Sequence, residues 1–97
     1  MEYILAELID EMRMGFQIPF FYDDVAVEND LREGDMFLKT LVDEIDYEKD
    51  LVARMLLKNY AFYSYNKCID DFKENYSSTM LQWQLSKIKV VNDEEIK

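Results

Sequence analysis

The side chains of this sequence that could perform chemistry are mainly carboxylates. The chain has 21 Asp and Glu residues, one cysteine and no histidine, so the commonest general base and metal ligand is absent. Carboxylate oxygens bind magnesium and calcium, and the acidic first half includes Glu7, Asp10, Glu11, Asp23, Asp24, Asp30, Glu33 and Asp35. Such residues on helices usually form solvated faces. We therefore expect no functional metal site and no cofactor.

The remaining residue types give little support to other catalytic chemistry. Cys68 has no histidine to activate it, and a lone cysteine of this kind is more often a small buried hydrophobe than a nucleophile. The only glycines are Gly15 and Gly34, so no glycine-rich loop could cradle a phosphate. The sequence predicts that the chain is not an enzyme.

One enzyme family still provides an alternative. The segment Arg32-Glu33-Gly34-Asp35-Met36-Phe37 resembles the Gly-Asp turn of the all-helical, magnesium-dependent nucleotide pyrophosphohydrolases. The resemblance implies acidic pairs three residues apart on two helices. Here Arg32 stands three positions before Asp35, where that family has an acid, and Glu7 and Asp10 lack the rest of the pattern. This is the third of the functions that we consider.

The charge of the chain limits its partners. A net charge of -10 repels nucleic acid, whose binding proteins normally carry a basic patch, so specific DNA or RNA binding is not expected. Two explanations of the acidity remain open: it keeps an aromatic-rich protein soluble, or it has a specific electrostatic role. The second would suit a small acidic inhibitor or adaptor that binds a host protein, for instance by mimicking DNA.

The location is expected to be intracellular. A single cysteine cannot form an internal disulfide, and the first residues have no apolar signal segment, which favours a reducing compartment such as the cytoplasm. The longest apolar run, Ile18 to Tyr22, contains Pro19 and is far shorter than the roughly 20 residues that span a bilayer. We expect no membrane association.

The periodicity of apolar residues predicts an all-α fold, a small bundle of four to five helices with a long central helix and a C-terminal helix packed on it. The first helix covers Tyr3 to Met14 and ends at Gly15. After a loop from Phe16 to Asp24, in which Asp23 or Asp24 can cap the next turn, a short helix from Val25 to Glu33 is closed by Gly34. Asp35 is then predicted to cap a third helix that reaches Ile45.

The second half is predicted to contain the two principal helices. Asp46 is expected to cap the central helix, which reaches about Asn66, with Asp50, Arg54 and Lys58 paired along one solvated stripe. Asp71 and Glu74 have the form of a capping box that starts the last helix. We predict one helical domain over residues 1–88, a flexible tail over residues 89–97, and a core that includes Met55, Leu56, Tyr60, Phe72, Tyr76 and Trp83.

Two segments are candidates for protein interaction. The loop crowds large apolar side chains around a proline, and the tail could reach a neighbouring subunit. The candidate residues are Phe16, Ile18, Phe20, Phe21, Tyr22, Lys89, Val90 and Val91. We expect the loop to be mobile until it meets a partner. The alternative for the loop is that its side chains cap the small core from one end.

The second half also resembles the small helical head-tail connector proteins of tailed phages and prophages. An aromatic-rich helix ends in a Tyr-Asn step, and after a short break the next helix opens with an acidic-Phe pair and an Asn-aromatic pair. The residues that carry the resemblance are Arg54-Met55-Leu56-Leu57-Lys58-Asn59-Tyr60, Tyr63, Tyr65, Asn66, Asp71-Phe72, Asn75-Tyr76 and Met80-Leu81. Helices in the expected order extend it over roughly residues 4 to 88.

This resemblance implies a structural role without catalysis. Connector subunits are made in the bacterial host cytoplasm and join the virion at the head-tail junction. There they form a homo-oligomeric ring between the portal protein and a tail or stopper protein, and DNA passes through without specific binding. An acidic channel wall and exposed aromatic side chains would suit this role.

Overall fold

Two long helices packed antiparallel form the centre of the fold. The computed structural model describes residues 1–88, and in this part of the chain it has five α-helices and no strand. Helix α2 spans Asp24–Leu38 and α3 spans Leu51–Tyr65. Their direction follows from the contacts of Asp30 with Ser64 and of Gly34 with Tyr60. The all-α prediction is confirmed.

Helix α1 (Leu5–Gly15) follows one 3-10 turn at Glu2–Ile4 and runs antiparallel to α2. Ion pairs join the two helices near both ends, from Glu2 to Arg32 at 2.6 Å and from Asp24 to Arg13 at 2.8 Å. The predicted first helix is confirmed to within a residue or two. Its buried face contributes Leu8 and Met12 to the core.

The C-terminal part of the described chain is two short helices instead of the single helix that was predicted. Helix α4 covers Ile69–Asn75 and α5 covers Ser77–Ser86, and the chain bends between them at Tyr76, whose φ and ψ are -110° and 11°. The bend lets Phe72 of α4 and Trp83 of α5 both reach α3 and become buried. The predicted tail, including Lys89, Val90 and Val91, lies outside the described residues.

The two short helices predicted over 25–45 are wrong. Helix α2 runs through Gly34, and residues 39–50 form turns in which the buried Tyr47 donates a hydrogen bond of 2.7 Å to Asp35. A glycine inside a helix costs about 1 kcal/mol relative to alanine. Here its lack of a side chain lets α3 approach closely, because an added Cβ would lie 2.9 Å from Leu57 Cδ1. Close packing therefore outweighs the tendency of glycine to end the helix.

The predicted start of the central helix is also wrong. Asp50, not Asp46, caps α3 and accepts a hydrogen bond of 3.1 Å from the amide of Ala53. Asp46 instead organises the preceding turn and accepts from the amide of Glu48 at 3.0 Å. Asp50 also accepts from the indole Nε1 of Trp83 at 2.9 Å. This distant partner in α5 makes Asp50 the better position for the cap.

Two further predictions about polar side chains are wrong. Asp50, Arg54 and Lys58 do not pair with one another along a stripe, because Arg54 and Lys58 both bind Glu11 of α1 and Asp50 binds Lys87. Asp71 is not a helix cap either. It lies within α4, whose first turn follows Cys68 without a side-chain cap. Partners outside α3 therefore decide the contacts of Asp50, Arg54 and Lys58.

The core joins all of the helices. Leu56, Tyr60, Phe72 and Trp83 are buried as predicted, whereas Met55 and Tyr76 are only partly buried. Aromatic rings connect α2, α3 and α4, with Tyr60 stacked on Phe37 at 5.5 Å and meeting Phe72 edge-on at 5.3 Å. The buried apolar set is Ile4, Leu8, Met12, Ile18, Val27, Leu31, Leu38, Tyr47, Ala53, Leu56, Leu57, Tyr60, Ala61, Phe72, Met80 and Trp83.

Candidate protein-interaction site

The loop between α1 and α2, residues 16–23, is built around the side chain of Arg13. This side chain is only 10% exposed. Its Nη1 donates to the carbonyls of Ile18 at 3.3 Å and Pro19 at 2.9 Å, and its Nη2 donates to the carbonyl of Tyr22 at 2.8 Å. A planar guanidinium can bind several acceptors in one fixed arrangement. Arg13 therefore holds three carbonyl groups of the loop on one side.

Further contacts define both ends of the loop. Nη2 of Arg13 also donates to Asp24 at 2.8 Å, at the first residue of α2. Asp23, one of the two caps that the sequence allowed, caps α2 by accepting from the amide of Ala26 at 3.0 Å. At the other end Gln17 has a positive φ of 56°, which turns the chain sharply after α1. These contacts give the loop a defined path in the structure, and its mobility before it meets a partner stays a prediction.

Three of the five candidate side chains of the loop point inward. Phe16 stacks on Phe62 of α3 with ring centroids 4.7 Å apart, and Ile18 is 4% exposed. Tyr22 meets Tyr65 edge-on, also at 4.7 Å. For these three residues the alternative is correct, since they cap the core at the end where α1 and α3 finish.

Tyr22 also takes part in a polar network. Its hydroxyl and that of Ser64 both donate to the buried carboxyl group of Asp30, the latter at 2.6 Å. Burial, followed by the hydrogen bond and negative charge of Asp30, raises the pKa of Tyr22 above its ordinary value. The neutral hydroxyl is thus kept as a donor. This network ties the end of the loop to both α2 and α3.

Phe20 and Phe21 are the two loop residues that point outward, and their exposed fractions are 85% and 88%. The guanidinium of Arg13 lies 5.0 Å from the ring centroid of Phe20, within cation–π range. Val25, in the first turn of α2, is 65% exposed and lines the same shallow depression as Phe20. We call Phe20 and Phe21 the aromatic knob. It is the part of the predicted interaction segment that a partner could reach.

A second exposed apolar surface was not singled out in the sequence. It is a groove of about 770 Å³ between the segment that follows α2 and the end of α5, lined by Leu41, Val42, Leu85 and Ile88. The side-chain amide of Gln84 also lines the groove and donates to the carbonyl of Leu41 at 3.2 Å. Asp43, Glu44 and Lys87 are its charged lining residues. The spacing of Leu81, Leu85 and Ile88 is the sequence signal that could have indicated this surface.

Several of the carboxylates considered for magnesium have other partners. Glu7 and Glu11 bind Arg54, and Asp35 binds Lys39 at 3.0 Å in addition to Tyr47. Hydrogen bonds from Arg54 and Lys58 outweigh burial and lower the pKa of Glu11. Among residues 1–88 no group of three or more His, Cys, Asp or Glu side chains could hold a metal ion.

Cys68 differs from its predicted environment. Its side chain is a free thiol that is partly exposed, where the sequence suggested a buried small hydrophobe. The thiol lies in the short connection between α3 and α4, next to Lys67, which has a positive φ of 62°.

Comparison with known proteins leaves the resemblance to connectors untested. No protein-family model matches the chain, and neither the curated proteins nor the solved structures contain a significant match. Within the described residues, no helix combines the length and the apolar composition needed to cross a bilayer. The aromatic knob and the apolar groove are two exposed apolar surfaces that a partner could cover.

Proposed function

We propose that this chain is a docking protein that binds another protein through the aromatic knob. The observation that carries this proposal is the exposure of Phe20 and Phe21 on a loop that Arg13 holds in one conformation. Aromatic side chains are frequent energetic centres of protein interfaces. A loop that is already ordered loses less conformational entropy on binding than a mobile one. The knob thus combines apolar area with pre-organisation.

Within this class, we propose a structural role as a head-tail connector subunit of a tailed phage or prophage. The resemblance over α3, α4 and α5 supports the role, and the all-α fold is compatible with it. Several of the residues that carry the resemblance, including Leu56, Tyr60 and Phe72, are buried. They therefore support a common core more directly than a common surface. The proposed partners are further copies of the chain in a ring, the portal protein and a tail or stopper protein.

The net charge of -10 fits a subunit beside a DNA channel, since an acidic wall does not retain DNA. It would equally suit an inhibitor that mimics DNA. A connector subunit and a DNA mimic differ in the side chains that bind the partner. Binding of a DNA mimic depends on its carboxylates and weakens with salt, whereas docking through phenyl rings depends on Phe20 and Phe21.

The proposal can be tested with a double substitution, Phe20→Ser with Phe21→Ser. Both side chains are more than four-fifths exposed, so the fold should be retained. Met36→Ser removes an apolar side chain that is 69% exposed on α2 and provides the matched control. Each protein is mixed with portal-bearing, tailless heads from the phage or prophage that encodes the chain. Bound protein is then measured by sedimentation of the heads.

We expect the parent and Met36→Ser to bind the heads and the double variant to lose binding. Binding by the double variant would overturn the role of the knob. If the parent does not bind heads, and no portal, capsid or tail genes flank its own gene, the connector role is overturned. Salt-sensitive binding of the double variant to a DNA-binding host protein would instead favour the DNA mimic.

A further inference from the structure

The apolar groove continues into a second depression. This depression has a volume of about 630 Å³ and adjoins the groove, because Glu44 and Lys87 line both. It adds two aliphatic side chains from the first turn of α3, Leu51 and Val52, which are 69% and 43% exposed. We call the two depressions together the extended groove. Its aliphatic side chains are Leu41, Val42, Leu51, Val52, Leu85 and Ile88.

The extended groove lies away from the aromatic knob. The knob immediately precedes α2, whereas Leu41 lies three residues after the end of α2, and a 15-residue helix is about 22 Å long. Contacts within the chain fix the walls of the extended groove. Asp50 accepts from Nε1 of Trp83 at 2.9 Å and from Nζ of Lys87 at 2.5 Å, which holds the end of α5 at the start of α3. Two partners could therefore occupy the knob and the extended groove at the same time.

The charge of the extended groove favours a basic partner. Asp43 and Glu44 are exposed, and among residues 1–88 no ion pair involves either carboxylate. Lys87 lines the same surface, but its ammonium group is already paired within the chain. In the second depression the charges of Asp46 and Lys49 offset each other. The net charge of -10 attracts a basic partner from a distance and repels a second copy.

The residues that line the extended groove indicate the form of the partner. Docking of an extended strand needs a free sheet edge, and residues 1–88 contain no strand. Proline-rich segments dock into grooves lined by aromatic rings, and none of the described residues that line either depression is aromatic. Phosphorylated segments are bound by arginine clusters, whereas the described lining includes no arginine. An amphipathic helix fits this surface, because such helices lay an apolar face into an aliphatic groove.

We propose that the extended groove binds a basic amphipathic helix of another protein. Apolar residues at positions i, i+3 or i+4, and i+7 of that helix would cover the aliphatic side chains, and seven residues advance about 10 Å along a helix axis. Lysine or arginine residues beside this apolar face would pair with Asp43 and Glu44. This inference adds a second docking surface to the aromatic knob and does not depend on it. A copy with both surfaces occupied would join two proteins.

Fluorescence anisotropy with labelled peptides tests the proposal on the full chain. The first peptide has about 15 leucine and lysine residues, with its leucines on one face of a helix. The second has the same composition with its leucines spread around the helix, and the third has glutamate in place of lysine. Titrations are made in about 0.05 M and 0.5 M sodium chloride. We expect the first peptide to bind at least about tenfold more tightly than the other two, and to bind more weakly at high salt.

The aliphatic part of the surface is tested by Leu85→Ser combined with Ile88→Ser, which we call the groove variant. Its control, Met14→Ser with Met36→Ser, removes two apolar side chains outside the extended groove, and all four side chains are more than half exposed. Circular dichroism with thermal unfolding checks each fold. The groove variant should raise the dissociation constant of the first peptide about tenfold or more, the effect of losing central apolar contacts from an interface. The control should bind like the parent.

The charged part is tested by Asp43→Asn combined with Glu44→Gln, which we call the acid variant. Its control, Asp10→Asn with Glu74→Gln, removes the same two charges elsewhere, and all four side chains are exposed. An exposed ion pair strengthens binding by a factor of about 1.5–5. The acid variant should therefore bind the first peptide about threefold to tenfold more weakly than its control at low salt, and this difference should shrink at high salt.

Two further variants separate the extended groove from other surfaces. The knob variant, Phe20→Ser with Phe21→Ser, should bind the first peptide like the parent, because the knob lies at the other end of α2. Val90→Ser with Val91→Ser changes residues outside the described part of the chain and should also leave binding unchanged. If this tail variant binds about tenfold more tightly than the parent, residues 89–97 occupy the groove and the proposal is wrong.

Four other results would overturn the inference. The first is a parent that does not bind the first peptide at concentrations up to about 1 mM. The second is equal binding of the first peptide and either of the other two, and the third is a groove or acid variant that binds like its control. The fourth is a parent that sediments as a dimer when the groove variant does not, which would assign the surface to a second copy. Binding of heads through the knob is measured separately, so each of these results leaves the proposed docking function in place.

Discussion

Gly34→Ala tests the close packing of α2 on α3. An added Cβ would lie 2.9 Å from Leu57 Cδ1 and 3.0 Å from Tyr60 Cδ1. Leu57 is completely buried, and the ring of Tyr60 is held between Phe37 and Phe72, so neither side chain has free space into which to move. Overpacking of this kind costs about 1–3 kcal/mol. Alanine also favours the helix by about 1 kcal/mol relative to glycine, so we expect the free energy of unfolding to fall by about 0–2 kcal/mol.

Gly15→Ala is the matched control for this substitution. Gly15 is the last residue of α1, its φ is not positive, and an added Cβ would meet nothing within 4 Å. Replacing such a glycine stabilises a protein by about 0.4–1 kcal/mol, chiefly because the unfolded chain becomes less flexible. The free energies of unfolding of the two variants should thus differ by about 0.5–3 kcal/mol, with Gly15→Ala the more stable.

Urea unfolding followed by the fluorescence of Trp83, the only tryptophan, measures both values. The midpoint and the slope of each transition give the free energy of unfolding, and an unchanged slope shows that the two unfolding reactions are comparable. If Gly34→Ala stabilises the protein as much as Gly15→Ala does, the two helices are not in close contact at this position. Gly34 would then be free to end a helix, as its sequence context suggested.

The remaining predictions concern the core, the cap of α3, the loop and magnesium. Leu56→Ala should lower the free energy of unfolding by about 2–5 kcal/mol, and an unfolding midpoint equal to that of the parent would contradict its burial. Asp50→Ala should cost about 2–4 kcal/mol at pH 7, since it removes a helix cap and leaves the buried indole of Trp83 without its acceptor. Burial raises the pKa of Asp50, but hydrogen bonds from Lys87, Trp83 and the amide of Ala53 outweigh it and lower this pKa. The ionised carboxylate of Asp50 therefore adds to the free energy of unfolding above about pH 4, and this addition is lost as the pH falls through the lower pKa of the folded protein. Urea unfolding at pH 7 and at pH 3 should show that Asp50→Ala costs less stability in acid. Arg13→Lys should speed hydrogen exchange at the amide of Tyr22 about tenfold or more, because one ammonium cannot replace a guanidinium that binds three carbonyls. An unchanged exchange rate would show that Arg13 does not hold the loop. Magnesium titration followed by calorimetry should show only weak, salt-sensitive association, and tight saturable binding that Glu7→Gln or Asp35→Asn abolishes would support the pyrophosphohydrolase alternative.

Features that depend on composition and on the local period of apolar residues could be predicted before the fold was known. Apolar spacing predicted an all-α chain, the end of the central helix near Asn66, and the burial of Leu56, Phe72 and Trp83. These residues lie on faces whose apolar character is visible within a few turns. The first helix and a cap at Asp23 or Asp24 could also be predicted, because the end of a helix is specified by its neighbours in the chain.

Features that depend on partners far away in the chain could not be predicted in this way. Gly34 has the same local context whether it ends a helix or lies inside one, and the side chains of Leu57 and Tyr60 select the second outcome. Asp46 and Asp50 are both reasonable helix caps, and the hydrogen bond from Trp83 to Asp50, 33 positions away, marks the one that caps α3. Local periodicity has no information about such contacts.

The eight-residue loop between α1 and α2 has features of both kinds, some that could be predicted from the sequence and some that depend on tertiary contacts. Its sequence predicted an apolar segment around Pro19 but could not separate the side chains that fill the core from those that remain outside. The guanidinium of Arg13 binds the carbonyls of Ile18, Pro19 and Tyr22, and this arrangement turns Phe20 and Phe21 toward solvent. The composition of the loop shows only that it is aromatic. The contacts of Arg13 with the backbone fix the path of the loop, and this path decides which rings are available to a partner.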